Sequence, residues 1–305
     1  MTEHFEIAVL GGGPAGAAAA IAAANLGVPR ILLVESELEP GFRMGETIPP
    51  DTRLLLEKLG ILDRFLEEGH APCFGSCSSW GDERLGHNDF LLSPFGHGWH
   101  LDRSRFEAFL LAEAAARGVT VERGLRFRGS ERTANGFDLT CSNGRHFRTG
   151  FVIDATGTRA AFARQNGAMR RNSDTMQVRA ALMAIKDLSL SALTWLEATE
   201  YGWWYAARLP GDRCLFALSS DADILRSRRL AQSQGWMQAL GQTPHIGRLL
   251  GFCKPVPLAT LCHAAPSWQL APPVGRGWLA VGDAASVFDP ITSQGIYKAM
   301  STGLR

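Results

Sequence analysis

The sequence is poor in lysine. Among its 305 residues the lysines are Lys58, Lys186, Lys254 and Lys298, and arginine carries nearly all the positive charge. Basic and acidic residues almost cancel, for a formal net charge of +1. There is no basic surplus to attract nucleic acid or an anionic membrane. No apolar run is long enough to span a bilayer, and the alanine-rich GAAAAIAAA is too short and too glycine-flanked. The opening MTEHFEIAVLGGG has no basic leader and enters a strand almost at once, so a cytoplasmic protein is expected. The cysteines, Cys73, Cys77, Cys141, Cys214, Cys253 and Cys262, form no CxxC and no His–Cys ligand spacing. Buried reduced thiols are expected. His97 and His100 make an HxxH with no third ligand, so no metal is expected. There is no paired-carboxylate or Ser-His-Asp set, no internal repeat and no low-complexity linker.

What is present is enough apolar material, 46% of residues, for one large domain or two closely joined ones. A short apolar run, Ile7–Leu10, leads into GGGPAG, Gly11 to Gly16, and an alanine-rich helix to about Leu26. Arg30–Val34 is a second buried strand, ending at Glu35. Strand, glycine turn, helix, strand and acid in this order are the βαβ dinucleotide fingerprint. Gly11 permits the tight turn, Gly13 lets the backbone approach a pyrophosphate, and Gly16 lets the helix pack closely. Pro14 and Ala15 open the helix whose N-terminus favours that anion. Glu35 is placed to bond a ribose diol.

Further along, Arg103 opens an amphipathic helix with Phe106, Phe109 and Leu110 on one face. Leu125–Arg132, Phe137–Cys141 and Arg145–Arg148 follow as strands, with Asn143-Gly144 as a hairpin turn. Phe151–Asp154 is a buried strand closing on Ala-Thr-Gly157, and Gly277–Gly282 is another, closing on Asp283. No second GxGxxG occurs, so no separate nicotinamide domain is visible.

The glycine turn with Glu35, the Arg103 helix, the turn Asp154–Gly157, and Gly282-Asp283 with Pro290 resemble, in family order, the FAD-dependent class A aromatic monooxygenases. The resemblance is to the branch that also holds the tryptophan halogenases. It implies an α/β fold: a Rossmann-type FAD-binding domain, a parallel sheet plus a three-stranded β-meander, with an inserted β-sheet substrate domain. Residues 1–75, 100–160 and 270–305 are expected in the first and 76–99 and 161–269 in the second, with C-terminal covering helices absent. It also implies that FAD is reduced by NAD(P)H or by a separate flavin reductase. An aromatic ring, free or as a protein-borne tryptophan, is then hydroxylated with O2 through a flavin C4a-hydroperoxide.

By the same resemblance, Asp283 is buried against the ribityl chain. Pro290, Ser293, Gln294 and Gly295 pass the flavin ring as catalytic residues. The helix that starts there, with Gly295 and Ile296, stabilises the reduced ring without a cationic side chain. Ile296, Met300 and Leu304 form a stripe on this helix that is expected to lack cover. Arg43, Gly45 and Glu46 of RMGETIPP are expected near the flavin, and Pro49 is expected to open the next helix. Asp154 and Gly157, with Gly282, complete the cofactor set. Trp80, Trp99, Trp203, Trp204 and Tyr205 are candidates for an aromatic substrate pocket, built on the strand-like runs Met176–Ile185, Tyr201–Leu209 and Arg213–Ser219.

Halogenases of this branch carry a pocket lysine after the first helical unit, and a WxWxIP signature. Here Ala71–Gly81 has no lysine, Lys58 lies on a solvated helical face, and Tyr205 and Ala207 replace the signature tryptophans. These departures favour hydroxylation. GETIPP, SSWG, GHGWHLDR, GWWYAARLP and DPITSQGI look closest to the monooxygenases that hydroxylate a tryptophan in precursors of tryptophylquinone enzymes. A flavin halogenase and a non-catalytic FAD-binding maturation partner are the alternatives.

Overall fold

The computed structural model describes residues 3–39, 43–82 and 84–305. Strand β1 (Glu3–Leu10) turns through glycines into helix α1 (Pro14–Asn25) and returns as β2 (Ile31–Glu35). The strands pair in parallel, with Ala8 opposite Leu32. Both carry near-continuous apolar runs because helices cover one face and the meander the other. The chain then leaves this sheet through β3 (Thr47–Ile48), α2 (Thr52–Leu59), α3 (Leu62–Glu67) and β4 (Ala71–Cys73). Pro49 does not open α2: its carbonyl accepts from Thr52 in a preceding turn, and the helix begins at Thr52. Strands β5 (Gly75–Ser79) and β6 (Gly86–Asp89) form a hairpin, and β7 (Gly98–His100) pairs with both β3 and β4.

Helix α4 (Arg103–Ala116) is capped by Asp102, which accepts from the Arg105 amide at 3.1 Å. Phe106, Phe109 and Leu110 are buried in the core between α4 and α1. Next, β8 (Thr120–Arg123) joins β2 in parallel. Strands β9 (Phe127–Thr133), β10 (Gly136–Cys141) and β11 (His146–Asp154) make the antiparallel meander. Its hairpin turn has Asn143 at φ 60° and Gly144 at φ 70°, the left-handed pair that suits the twist of a hairpin. On its other side β11 pairs in parallel with β1 along nearly its whole length, from Phe147 opposite Glu3 to Asp154 opposite Leu10.

After α5 (Ala161–Gln165), β12 (Met169–Ile185) starts the second sheet, followed by β13 (Thr194–Thr199), β14 (Gly202–Leu209) and β15 (Arg213–Ser220). Helices α6 (Ala222–Ser227) and α7 (Ser233–Gly241) cover one face of it, and the long β16 (Cys253–Ala271) closes its edge against β12. The chain returns to the first sheet through β17 (Val274–Gly275) and β18 (Trp278–Ala280). It adds β19 (Ser286–Val287) beside β16 and finishes in α8 (Gly295–Leu304). The sheet orders are β17-β18-β11-β1-β2-β8, with β9 and β10 attached, and β19-β16-β12-β15-β14-β13-β5-β6.

One expectation about α8 is corrected. Ile296 and Met300 are not a stripe without cover; they are 5% and 0% exposed within the core around α1. The cause is close helix packing. A side chain at Gly303 would lie 2.2 Å from the Ala15 carbonyl, and alanines fill the facing side of α1. Small residues on both helices let the backbones approach and seal the apolar face of α8.

Candidate functional site

A groove of roughly 240 Å3 runs over the start of α1, lined by Gly11, Gly13, Pro14, Ala15, Glu35, Arg43, Arg103, Ala155–Gly157, Arg159 and Asp283. Its glycines are not interchangeable. Gly11 sits at φ 112°, and a Cβ there would lie 2.2 Å from the Ala155 carbonyl, so the turn closes only around glycine. A Cβ at Gly16 would lie 1.9 Å from the Gly11 carbonyl. At Gly13, by contrast, a Cβ would meet nothing within 4 Å. That free space faces the groove, where a pyrophosphate approaches. No side chain caps α1 and no acid stands in its first turn, so its amide end is open to an anion. The residues present therefore fit the dinucleotide implied by the fingerprint.

Glu35 borders the groove and also holds it in shape. Its Oε2 accepts from the Gly12 amide at 2.6 Å, and Oε1 from Ser36 Oγ at 3.1 Å and the Glu37 amide at 2.8 Å. Buried Glu107, which sequence reading missed, pairs with both Arg43, at 3.3 Å, and Arg103. Arg103 also donates to the carbonyls of Met44 (2.7 Å) and Gly45 (2.9 Å), fixing the segment before β3. Arg43 is not a free loop charge, since Glu37 binds it as well, at 2.7 Å.

Beyond Arg103 lies a larger cavity of roughly 410 Å3. Pro14, Arg103, Asp283 and Ala299 border both spaces, so the groove opens into the cavity. Gly45, Glu46, Pro290, Ser293, Gln294, Gly295 and Ile296 line the cavity on one side. Val178, Trp203, Tyr205, Ala217 and Ser219 of the second sheet line the other. Ser293 is held at φ 49°, which bends the chain from the turn Pro290–Thr292 into α8.

A buried polar chain joins the two walls. Thr47 Oγ1 lies 2.8 Å from the Tyr205 hydroxyl and 3.0 Å from His100 Nδ1. Burial lowers the His100 pKa to about 4, keeping the ring neutral at pH 7. Next to Thr47, Glu46 is 2% exposed and its Oε1 has no hydrogen-bond partner among the described residues. Burial raises its pKa to about 7 against the opposing charge of Arg103.

Several placements correct the sequence reading. Asp154 has no oxygen to offer a cofactor. Its Oδ1 accepts from the amide and hydroxyl of Thr156, and Oδ2 from the Ala163 amide at 2.8 Å. It shapes the turn that presents Ala155, Thr156 and Gly157. Gly282 is likewise buried, its φ of 58° and close approach to Ala15 serving the turn under Asp283. Asp283 is not buried but 44% exposed.

Of the aromatic set, Trp203 and Tyr205 line the cavity and the others do not. Trp204 faces the opposite side of β14, its ring centre 5.0 Å from that of Trp236 in a tilted contact, because successive strand residues point to opposite faces. Trp99 packs in the first core against Phe65, and Trp80 is 55% exposed on a loop. Cys262 is exposed, unlike the other free thiols.

Sequence reading also passed over Lys298. Lys298 lines the cavity from α8, with Nζ 3.0 Å from Asp283 Oδ1 and 5.0 Å from the Phe288 ring centre. The start of α8 therefore does have a cation beside it. Four residues past Gln294 is one helical turn, the spacing that would have revealed it.

A dinucleotide groove continuous with an aromatic cavity defines a flavoprotein of the two-sheet type. The family described as FAD binding domain matches residues 4–235, and the chain belongs to it. It is 27% identical to the putative FAD-dependent oxidoreductase LodB of Marinomonas mediterranea (strain ATCC 700492 / JCM 21426 / NBRC 103028 / MMB-1), over 98% of this chain and 83% of that one. It is 25% identical to a tryptophan 2-halogenase of Chondromyces crocatus, over 98% of this chain but 59% of that one. The fold matches that of the peptidyl tryptophan dihydroxylase QhpG with a TM-score of 0.78 at 23% identity, covering 99% of this chain and 65% of QhpG. The chain thus sits in the halogenase-like branch of FAD-dependent oxidoreductases and spans only part of the length of some relatives. Among the described residues no helix is long and apolar enough to cross a membrane.

Proposed function

We propose that the protein is an FAD-dependent monooxygenase that hydroxylates an electron-rich aromatic ring, an indole by preference, free or within a polypeptide. The observation that carries this reading is the continuity of the groove with the aromatic cavity through Pro14, Arg103, Asp283 and Ala299. The open face of Gly13 and the amide end of α1 hold the pyrophosphate, Glu35 the ribose, and Asp283 the ribityl chain. Gly45, Pro290, Ser293, Gln294 and Gly295, which line the cavity beside this junction, would hold its ring end. When bound and reduced, FAD supplies the activation of dioxygen for transfer to the substrate ring.

The chain's own part is positioning and exclusion of water. Trp203 and Tyr205 give flat apolar walls for an aromatic substrate. Glu46 is a buried acid of this cavity wall whose Oε1 has no partner among the described residues. It is suited to bond a ring N–H or O–H and to take its proton as the ring is attacked. The Thr47–Tyr205–His100 chain keeps that wall fixed. The reductant is NAD(P)H or a separate reductase; the relative named as a peptidyl tryptophan dihydroxylase and the resemblance in GETIPP and GWWYAARLP support a tryptophan side chain as substrate.

One observation favours a second reading, halogenation: Lys298 is a lysine in the cavity wall. Against it, the ammonium is committed to Asp283 and to the Ser286 carbonyl. The test is incubation with reduced FAD, O2, bromide and indole substrates, read by mass spectrometry. Products gaining one oxygen and no bromine are expected; a brominated product overturns hydroxylation.

A further inference from the structure

We propose that Lys298 is a positioning and charge-setting residue for the flavin: it holds Asp283 at the junction of groove and cavity and stabilises the reduced, negatively charged ring. The inference rests on the reading that the ring end of FAD enters the cavity. Three features support it. First, the side chain is only 15% exposed, although lysine is the side chain most readily left in water. Its Nζ is fixed by the Asp283 carboxylate at 3.0 Å, the Ser286 carbonyl and the Phe288 ring. Second, Asp283 is 44% exposed and borders both spaces. Lys298 ties Oδ1, and no hydrogen bond reaches the other oxygen among the described residues. Third, among the described residues the cavity's other permanent cation is Arg103. Arg103 is paired with Glu107, and Asp289 and Glu46 are acids. His263 and Tyr205 are the other titratable groups in the wall; burial lowers the His263 pKa and raises that of Tyr205, which favours the neutral form of each. Without Lys298, the cavity would present Asp283, Asp289 and Glu46 to a ring that gains negative charge on reduction. A fixed ammonium at part-buried depth opposes that far more effectively than one in water.

The role predicts a difference between redox states. A residue that only shapes the protein weakens oxidised and reduced FAD alike. Lys298 should favour the reduced form. In Lys298→Met the affinity for reduced FAD should fall about tenfold more than that for oxidised FAD, a drop of about 30 mV in the two-electron potential. Lys298→Arg, which keeps the charge, should restore most of it. The experiment is equilibrium FAD titration of the full chain together with spectroscopic potential measurement against a reference dye, for the unaltered protein and for Lys298→Met, Lys298→Gln and Lys298→Arg. A potential unchanged in Met or Gln overturns the proposal, as does a drop equal in Arg and Met. If Met does not retain FAD, the Gln and Arg pair decides in the same way. Failure of the unaltered chain to bind FAD at all defeats the cofactor reading instead, and the inference with it.

Discussion

The groove and the cavity are built differently. The groove is made of backbone: Gly11, Gly13 and Gly16 shape it, and the start of α1 supplies its charge. Its glycine turn, helix start and acid lie close together in sequence, from Leu10 to Glu35, while Arg43, Arg103, Ala155–Gly157 and Asp283 complete its walls. The cavity is made largely of side chains drawn from Pro14 to Ala299, brought together by the second sheet and α8. A site made of backbone depends on where a Cβ is missing. A site made of side chains depends on which face of a strand or helix each residue occupies. The two should therefore fail in different ways when altered.

The largest effect should come from the groove. Gly13→Val places a branched side chain in the free space above α1, where it excludes the pyrophosphate. Retention of FAD should be lost, read as the flavin-to-protein ratio after gel filtration, while the fold persists because a Cβ at this position meets no protein atom within 4 Å. A yellow, fully loaded variant would falsify the phosphate site.

The cavity's counterpart is Trp204→Ala against Trp203→Ala. Trp204 is 0% exposed and packs against Trp236 behind the sheet. Its truncation should cost about 3–5 kcal/mol of stability, seen in urea unfolding. Trp203→Ala should cost less and act instead on substrate binding. Equal destabilisation by the two would show that the sheet faces are misassigned.

Glu46 sharpens the comparison through pH. Its pKa is raised from 4.5 to about 7 by burial. The folded state thus binds a proton that the unfolded state has already lost between those values. Stability linked to Glu46 is present in full below pH 4.5 and is lost as pH rises through 7, by about 3 kcal/mol in all. Glu46→Gln should remove that slope, so the variant gains on the parent protein between pH 5 and pH 8. Melting temperatures across this range measure it. Parallel curves would place the carboxyl in contact with water or a partner.

These contrasts mark where sequence was informative. The βαβ unit, the Asn143-Gly144 hairpin and the α4 face were legible because each is local: a glycine turn, a left-handed pair, a helical stripe. The strands β12, β14 and β15 were legible as strand-like runs, but not which way their side chains faced. Trp203 and Trp204 are neighbours in sequence and part company only once the register of β14 against β15 is fixed. Strand β16 has no counterpart in the sequence reading, and it contains Pro255, Pro257 and Pro266. They are tolerated because much of its outer edge has no ladder partner among the described residues. Lys298 and Glu107 were missed for a related reason: each matters through a partner distant in the chain or one helical turn away.

Between the two ends of the groove, Glu35 should matter more than Asp283. Both are expected to bond sugar or ribityl hydroxyls of FAD, and one charged hydrogen bond is worth about 1.5–3 kcal/mol. Glu35 also orders the glycine loop through the Gly12 amide, so Glu35→Ala loses the loop as well as the bond. FAD titration of the two alanine variants ranks them; a weaker effect for Glu35 would mean the loop holds itself.

The smallest effect tests the corrected aromatic set. Trp80 was a pocket candidate by composition, since indole rings often line aromatic sites. In the structure it is 55% exposed, on the loop after β5, and does not border the cavity. An exposed side chain away from caps, charges and cavities rarely changes stability by more than about 0.5 kcal/mol. Trp80→Ala should therefore leave FAD affinity, the melting temperature and small-molecule turnover within error of the parent protein, whereas Trp203→Ala should raise the KM for an indole. The two substitutions delete the same group, so the contrast isolates position. If Trp80→Ala impairs turnover of a tryptophan carried in a polypeptide but not of a free indole, the loop after β5 contacts the substrate chain outside the cavity. If it impairs both, Trp80 reaches the site and the cavity wall drawn from Trp203 and Tyr205 is incomplete.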